Sequence, residues 1–587
     1  MKHRPNQPSC SQPPRKRRIM TETKKIILIT ILFITPFLSL IRPVFSTTRY
    51  VPSQYPSIQA AVTAALEGDI IQVAAGTYYE QVSINKTLTI QGENPQTTIV
   101  DGNGTGSPFY IEDAKNVLIK GFTIQNAGNN SSGVVSERSI VTSDFNRIEN
   151  NIIKTSLYGV SFSGSDNNKI YNNTIVDNPL GGVYLYNTDN TNITGNTISE
   201  SAYGIRIVNL SINNQIINNT ITQISRGIHI SMSSTGTIIR RNTISGITDS
   251  VYSSSDSNII DHNTITNGGT GIYLYNCRIS QISYNTIIIP HGIGIRFYHS
   301  SPTTASHQIT NNKISNTDWA IDTTASYGNT FWGNWIQDNT YAFYLATSAS
   351  NTFYRNNFIR NMQLYAGGAN NWDQSGNGNH WSDHTTPDAD GNGIVDTAYS
   401  INPTNIDNYP LKYTWSEHDI ALQSATPSAN EVNPGTTVTI TVAIKNIANI
   451  STTATFTVTT KYNNTVIGTQ QVTDLARGAT SILTFDWVTT GVEPGNYTIK
   501  AEATTVTDEL NTDNNNLTNG TVKIKAPLTG DINGDGTINN QDLTLLIQEY
   551  GLTSDSPTWN PNADLNKDNV IDEQDLYILG KNYGNTN

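Results

Sequence analysis

The sequence predicts a mainly β protein: a long parallel β-helix, then a β-sandwich, then a small helical calcium-binding module. Three observations predict it. Asn followed two positions on by Ile returns at Asn151, Asn173, Asn196, Asn219, Asn242, Asn263, Asn285, Asn312, Asn334 and Asn357, at intervals of 21 to 27 residues. That period is too regular for loops and too short for a propeller blade, and it suits one coil of a solenoid. Beyond about residue 417 the pattern changes to longer alternating strands. After residue 528 a twelve-position acidic loop occurs twice.

Composition sets the frame. A chain of 587 residues exceeds what one core can bury, so several modules are expected. Only 14% of residues are charged and the net charge is −12. Asn, Ser, Thr, Gly and Tyr take much of the surface, as in an extracellular β-rich protein. No basic stripe follows the first 25 residues, so nucleic acid is not an expected partner. Residues 1–46 read as a signal peptide or N-terminal anchor: a basic segment, then an apolar run from Ile26 to Ile41 that is short of the ~20 residues a membrane span takes. Met20, just ahead of Thr21 to Lys25, offers a second start. On either reading the rest of the chain is exported, secreted or attached to the cell surface, with membrane contact only through an uncleaved leader. The two cysteines, Cys10 and Cys277, fall on opposite sides of that leader, so no disulfide is expected in the mature chain.

The β-helix is expected over residues 47–413. Its coils read roughly Gly-Ile-x-Ile-x, a polar turn, then Asn-x-Ile-x-x-Asn-Thr-Ile. Alternation places Ile and Val inside, and ten or eleven marked coils at ~4.8 Å each give a rod on the order of 50 Å long. Asn side chains stacked at one turn can hydrogen-bond up the rod. Helical spacing from Ile58 through Asp69 predicts an amphipathic cap over the open end.

That stretch, with Ile70–Val73, the turn Gly76 to Glu80 and Thr87 to Gly92, resembles the opening of the pectin-lyase-like superfamily of right-handed parallel β-helices. The coils that follow resemble its NosD-type branch, sometimes described as carbohydrate-binding proteins and sugar hydrolases. The resemblance covers about residues 48–413, including the ending Asn379-His380-Trp381-Ser382-Asp383 and Asn405 to Leu411. It implies a polysaccharide or other glycan as ligand. The copper-delivery role of NosD does not carry over, because His229, His262, His291, His299 and His307 are scattered without metal-ligand spacing. Asp388, Asp390, Asn392 and Asp396 match positions 1, 3, 5 and 9 of a calcium loop, but position 12 is Tyr399. An additional Ca²⁺ closing the last coil and a plain Asx turn both fit.

Aligning coils on Gly-Ile puts Ser161, Tyr184, Arg206, His229, Tyr252, Tyr273, Arg296, Asp322 and Tyr344 in one outward column, with Tyr186, Tyr275 and Tyr298 two residues on. Tyrosine rings stack on pyranose faces and Arg forks onto carboxylates, so Tyr184 to Tyr344 are the candidate substrate-binding residues. Good sheet neighbours would give the same stripe without a ligand. Hydrolysis needs two carboxylates ~5–10 Å apart, and Asp318 and Asp322 are the only close candidates near the stripe. If the chain is an enzyme, it is a polysaccharide hydrolase or lyase. Asp144-Phe145 resembles a pectinesterase motif that lacks its glycine-rich context and its acidic partner.

Residues 417–525 hold alternating strands at Thr437–Ile444, Thr455–Val458, Ser481–Trp487 and Tyr497–Ala501, which predict an immunoglobulin-like sandwich. Through Asn433-Pro434-Gly435, Ile444-Lys445-Asn446, Pro494 to Tyr497 and Glu509 to Asn515, this segment is similar to CARDB, a cell-adhesion-related domain.

Residues 528–587 carry the two loops. Asp531, Asn533, Asp535, Asn539 and Asp542, and then Asp564, Asn566, Asp568, Asp572 and Asp575, place oxygens at positions 1, 3, 5, 9 and 12, with the carbonyls of Thr537 and Val570 at position 7. Gly536 occupies the sharp turn of the first loop. Asn569 replaces it in the second and must adopt the left-handed conformation. Apolar-periodic helices are expected at Leu543–Tyr550 and Leu576–Tyr583. Duplicated loop-helix units of this kind resemble dockerin type I modules, which implies two Ca²⁺ ions and a cohesin partner on a scaffold or surface protein, facing Asn540, Gln541, Glu573 and Gln574. The whole reads as a secreted, cohesin-docked protein that binds or processes polysaccharide. The alternative is a non-enzymatic surface or adhesion protein with the rod as spacer, which sequons such as Asn85, Asn103, Asn172, Asn192 and Asn218 would suit.

Overall fold

A computed structural model describes residues 46–140, 142–299, 306–448 and 455–586. The leader lies outside the described residues, apart from its last residue. Fourteen parallel strands, from Thr48–Val51 to Thr352–Tyr354, stack into one face of a solenoid. The other two faces join into one 24-stranded arrangement, because Thr197–Val208, Thr220–Ile230 and Thr243–Ser253 run round their shared corner unbroken. Fourteen coils make a rod of about 65 Å, longer than the Asn signal implies. The extra coils, at Thr48–Val51, Ile70–Val73, Thr89–Gly92 and Leu118–Lys120, precede the first Asn marker.

Strand alternation fills the interior with one apolar residue per coil on each of the first two faces and two on the third, such as Ile205 and Ile207. Ile148, Ile170, Ile193, Ile216, Ile239, Ile260, Ile282 and Ile309 stand in register on the first face, and all are fully buried. The glycine of the Gly-Ile signal sits where coils approach most closely: a Cβ on Gly204 would lie 2.5 Å from the Gly227 carbonyl oxygen. Towards the end the filling becomes aromatic. Phe331, Phe353 and Trp372 stack in sequence, with centroids 4.5 and 4.4 Å apart, and seal the core. At the start, helix α1 (Ile58–Ala64) buries Ile58, Ala61 and Val62. It is shorter than its sequence pattern, which continues through Asp69.

The asparagine ladder is continuous. The Asn151 amide N–H donates to the Asn173 Oδ1 at 3.0 Å, and the same step repeats through Asn196, Asn219, Asn242, Asn263, Asn285, Asn312 and Asn334. Its next member is Asn356, not Asn357. The Asn334 N–H donates to Asn356 Oδ1 at 3.1 Å, whereas Asn357 turns its amide to the main chain of Trp415. The ladder ends on a carboxylate: Asp407 Oδ2 accepts from the Asn379 N–H at 2.7 Å and from Trp381 Nε1 at 2.9 Å. The residue before each ladder Asn is left-handed (Asn150, Asn172, Gly195, Asn218, Arg241, His262), which accounts for the Asn and Gly crowding at that turn. A second ladder at another turn includes Asn146–Asn168 at 2.8 Å and Asn329–Asn351 at 2.9 Å.

The sandwich pairs a three-stranded sheet (Ile420–Pro427, Thr437–Asn446, Thr480–Val488) with a five-stranded one that includes Phe456–Tyr462, Gly495–Ala503 and Asn516–Ile524. Val438, Ile440, Val442, Phe456, Trp487 and Ile499 fill the space between them. It touches the solenoid: Glu417 accepts from the Tyr284 hydroxyl at 2.9 Å, and His262 Nε2 lies 2.7 Å from Asp508. In the last module α2 (Asn540–Glu549) and α3 (Glu573–Asn582) each start three residues before the apolar pattern. The reason is a capping box, in which Asn539 and Asp572 cap helices whose third residues, Asp542 and Asp575, bond back to the cap. No helix among the described residues is long and apolar enough to cross a membrane.

Candidate functional site

Register on the third face brings the expected column together. Tyr184, Arg206, His229, Tyr252, Tyr273, Arg296, Asp322 and Tyr344 are directly paired from coil to coil, and Tyr365 extends the line. Because side chains in neighbouring coils stand ~4.8 Å apart, ring against ring is the natural packing. Tyr158 and Tyr184 stack at 4.8 Å, His229 and Tyr252 at 4.7 Å, and Tyr344 and Tyr365 at 4.7 Å.

The charged members are set among these rings. The Arg206 guanidinium lies 5.7 Å from the Tyr184 ring and 5.1 Å from the Tyr203 ring, with Nη1 3.3 Å from the Tyr158 hydroxyl. Its Nε has no hydrogen-bond partner, and among the described residues no carboxylate pairs with it. Burial, helped by Arg226 and Arg206, lowers the His229 pKa to about 4, so this imidazole is neutral at physiological pH. Its Nδ1 is buried without a partner.

Sequence reading missed half of the cluster. Asp249 and Arg226 lie one outward step before the column and pair at 3.2 Å, mirroring Arg296 and Asp322 at 3.1 Å. The missed signal is an offset of three residues, Arg226 to His229 and Asp249 to Tyr252, which repeats in Trp319 to Asp322. Burial raises both aspartate pKa values, while the arginines oppose that rise. The two carboxylates sit three coils apart, about 14 Å along the axis. Asp318 sits at a bend just before the strand Trp319–Thr324, within which Asp322 lies. Asp318 faces the exposed His291 at 3.8 Å. The Asp144 carboxylate accepts from the Asp166 N–H at 2.9 Å in a turn, so it is engaged in the scaffold.

The acidic loops have the folded form that oxygen ligation needs. Asp531 Oδ2 accepts from Gly536 N–H at 2.7 Å, and Asp535 Oδ1 accepts from Thr537 N–H at 2.9 Å. The second loop repeats this with Asp564 to Asn569 at 2.9 Å and Asp568 to Val570 at 3.0 Å. Gly536 and Asn569 both have positive φ, +84° and +72°. Asn533 and Asn566 complete all-oxygen sets suited to a hard cation. Asn540, Gln541, Glu573 and Gln574 are exposed in the first turns of α2 and α3. At 388–396, Asp388 pairs with Lys412 at 3.2 Å, and Asp396 accepts from Ala389 N–H at 2.8 Å. Among the described residues no three His, Cys, Asp or Glu side chains gather as metal ligands. His307 is engaged inside the solenoid, accepting from Ser280 N–H at 3.1 Å.

The profile of the family described as periplasmic copper-binding protein (NosD) matches residues 65–230, 175–305 and 301–386, together more than half of the chain. The chain belongs to the NosD family. The dockerin type I profile matches residues 529–583 and the CARDB profile residues 419–519. No curated protein matches. Among solved structures, the CARDB domain of the PF1109 protein from Pyrococcus furiosus, in complex with di-metal ions, is 26% identical and covers 19% of this chain and 92% of its own, with a TM-score of 0.17. The catalytic unit of a GH87 α-1,3-glucanase from Streptomyces thermodiastaticus is 16% identical over 56% of this chain and 69% of its own, with a TM-score of 0.37. A tailspike mutant of E. coli bacteriophage HK620, in complex with pentasaccharide, is 9% identical over 75% of this chain and 92% of its own, with a TM-score of 0.36. This NosD-family chain is thus a modular protein that ends in CARDB and dockerin type I domains.

Proposed function

We propose that this chain is an exported polysaccharide-binding protein, docked through its Ca²⁺-dependent dockerin to a cohesin-bearing partner, with the third face of the solenoid as its glycan surface. The observation that carries the reading is Arg206: a half-buried cation held between tyrosine rings, with Nε unpartnered and no counter-charge among the described residues. A carboxylate or hydroxyl of a sugar would supply the acceptor that the partly exposed guanidinium lacks. The rings of Tyr184, Tyr252, Tyr273 and Tyr344 supply stacking surface along the rod. Binding rather than cleavage is what the geometry supports. Asp249 and Asp322, at about 14 Å, are wider apart than the ~5–10 Å that paired carboxylates need.

In the dockerin, Asp531, Asn533, Asp535, Thr537, Asn539 and Asp542 hold one Ca²⁺, and Asp564, Asn566, Asp568, Val570, Asp572 and Asp575 hold the other. Asn540, Gln541, Glu573 and Gln574 face the cohesin. Glycan arrays followed by calorimetry on uronate-containing oligosaccharides test the surface. Arg206→Ala should weaken binding ~10–100-fold, from a charge-assisted bond of ~1.5–3 kcal/mol. If no glycan binds, or if Arg206→Ala and Tyr184→Ala bind as the parent does, the rod is a spacer.

A further inference from the structure

The sandwich holds two buried acids and two unused amide oxygens at its solenoid end. Asp419, 2% exposed, enters the first strand, and Glu509, 8% exposed, lies in the loop before the last. Asn514 Nδ2 donates to Asp419 Oδ1 at 2.7 Å and Asn511 Nδ2 to Oδ2 at 3.4 Å. Asn515 Nδ2 donates to Glu509 Oε2 at 2.8 Å, while the N–H groups of Ile420 and Val506 hold the same carboxylate at 2.8 and 3.0 Å. Among the described residues no basic side chain pairs with either charge. Burial pushes Asp419 up to about 6 and Glu509 up to about 7, with Asp419 adding to the rise at Glu509.

The amides carry a second, independent signal. Asn514 Oδ1 and Asn515 Oδ1 are both buried without a hydrogen-bond partner, and Asn515 is only 2% exposed. A fold does not ordinarily leave two buried acceptors unused beside two uncompensated buried acids.

We propose that Asp419, Glu509, Asn514 and Asn515 form a Ca²⁺ site at the base of the sandwich. A half-turn of each amide brings its oxygen beside the carboxylate that its nitrogen now meets, since the two ends of an amide are nearly the same size. The four side chains then present only oxygens, in a loop-built setting that suits Ca²⁺ with its six to eight oxygen ligands, water making up the number. Absence of nitrogen and sulfur donors disfavours zinc and copper. The cation neutralises the two acids and ties residue 419, where the solenoid hands over to the sandwich, to the loop carrying Asp508, which meets His262. The site therefore stiffens the junction between the two modules and is separate from the dockerin loops.

The test is Ca²⁺ binding by the full chain carrying Asp531→Ala and Asp564→Ala, which disable both dockerin loops, measured by equilibrium dialysis with ⁴⁵Ca²⁺. One ion per chain should remain. Asp419→Asn should abolish it, and Asn514→Ala, at a half-exposed position that does not fill the core, should weaken it at least tenfold with an unchanged circular dichroism spectrum. The proposal falls if the loop-disabled chain binds nothing at about 10 mM Ca²⁺, beyond the weakest extracellular sites. It falls equally if one ion binds and neither substitution alters its affinity, which would place that ion in the 388–396 loop.

Discussion

Replacing Asn219 by Ala tests whether the ladder carries the solenoid's stability. The Asn219 side chain is fully enclosed, and its Oδ1 accepts from the Asn196 N–H at 2.9 Å. Its Nδ2 donates to the Ile193 carbonyl at 2.8 Å, the Ile217 carbonyl at 3.1 Å and Asn242 Oδ1 at 3.0 Å. Asn242 Oδ1 keeps the Asn219 N–H at 2.9 Å, so it stays satisfied after the substitution. The Asn196 N–H does not, whereas the Ile193 carbonyl keeps its ladder bond from the Ile217 N–H. At ~1–3 kcal/mol for the buried N–H left unpaired, the loss is about 1–3 kcal/mol. The control is Gln215→Ala, at an exposed position in the same coil, for which about 0.5 kcal/mol or less is expected. Because neighbouring coils are coupled and the chain has several modules, a single global unfolding transition is the wrong observable. Pulsed alkylation of Cys277, buried two coils further along, reads opening of the solenoid itself. If Asn219→Ala changes the opening free energy by no more than the Gln215→Ala control, the ladder is a by-product of the turn and not its support.

Cys277 supports a second expectation. Burial pushes its thiol up to about 12, so the native chain should resist thiol reagents at pH 8 and react at a normal rate only in denaturant. Chelation should unfold the region 528–587 selectively, with loss of α2 and α3 in amide exchange while the ladder amides stay protected; helices that persist without Ca²⁺ would contradict the dockerin assignment. Asp407 is raised to about 6 by burial, above an unfolded value near 3.9. The folded chain therefore holds the extra proton between those values, and stability from this group is present below about pH 4 and lost as pH rises through about 6. The full swing is on the order of 3 kcal/mol. Comparing Asp407→Asn with the parent isolates that slope from the opposite contribution of His229 and His307, both lowered to about 4.

The architecture was legible because a solenoid repeats its instructions: one Asn, one Gly and four interior apolar residues per coil fix turn, corner and core at once. Register followed from the same signal, which is why the Gly-Ile spacing alone gives the outward column from Tyr184 to Tyr344. Where the signal lapsed, so did the reading. The first four coils carry Pro52, Ala74, Glu93 and Phe122 at the slot of the marker Asn, and the change from Asn357 to Asn356 reflects a coil in which two adjacent asparagines compete for one slot. Asp249 and Arg226 escaped because alignment on Gly-Ile reports one outward position, and their own column begins one corner residue earlier. The orphan oxygens of Asn514 and Asn515 have no signature in sequence, since an Asn-rich loop reads as a turn until burial shows which amides lack partners.

The same physics separates scaffold from site along this rod. A residue that serves the solenoid is constrained by the coils above and below it, so its column is uniform: Ile upon Ile inside, Asn upon Asn at the turn. The outward column of the third face is instead mixed, passing from Tyr to Arg, His, Tyr, Tyr, Arg, Asp and Tyr in successive coils. Cross-strand packing alone rewards aromatic and β-branched neighbours and gives no reason to bury Arg226–Asp249 and Arg296–Asp322 pairs, whose desolvation offsets most of their attraction. An unpaired Arg206 and a neutral His229 among them raise that cost further. A column that departs from its own repeat at a cost to the fold is what the proposed glycan surface would account for.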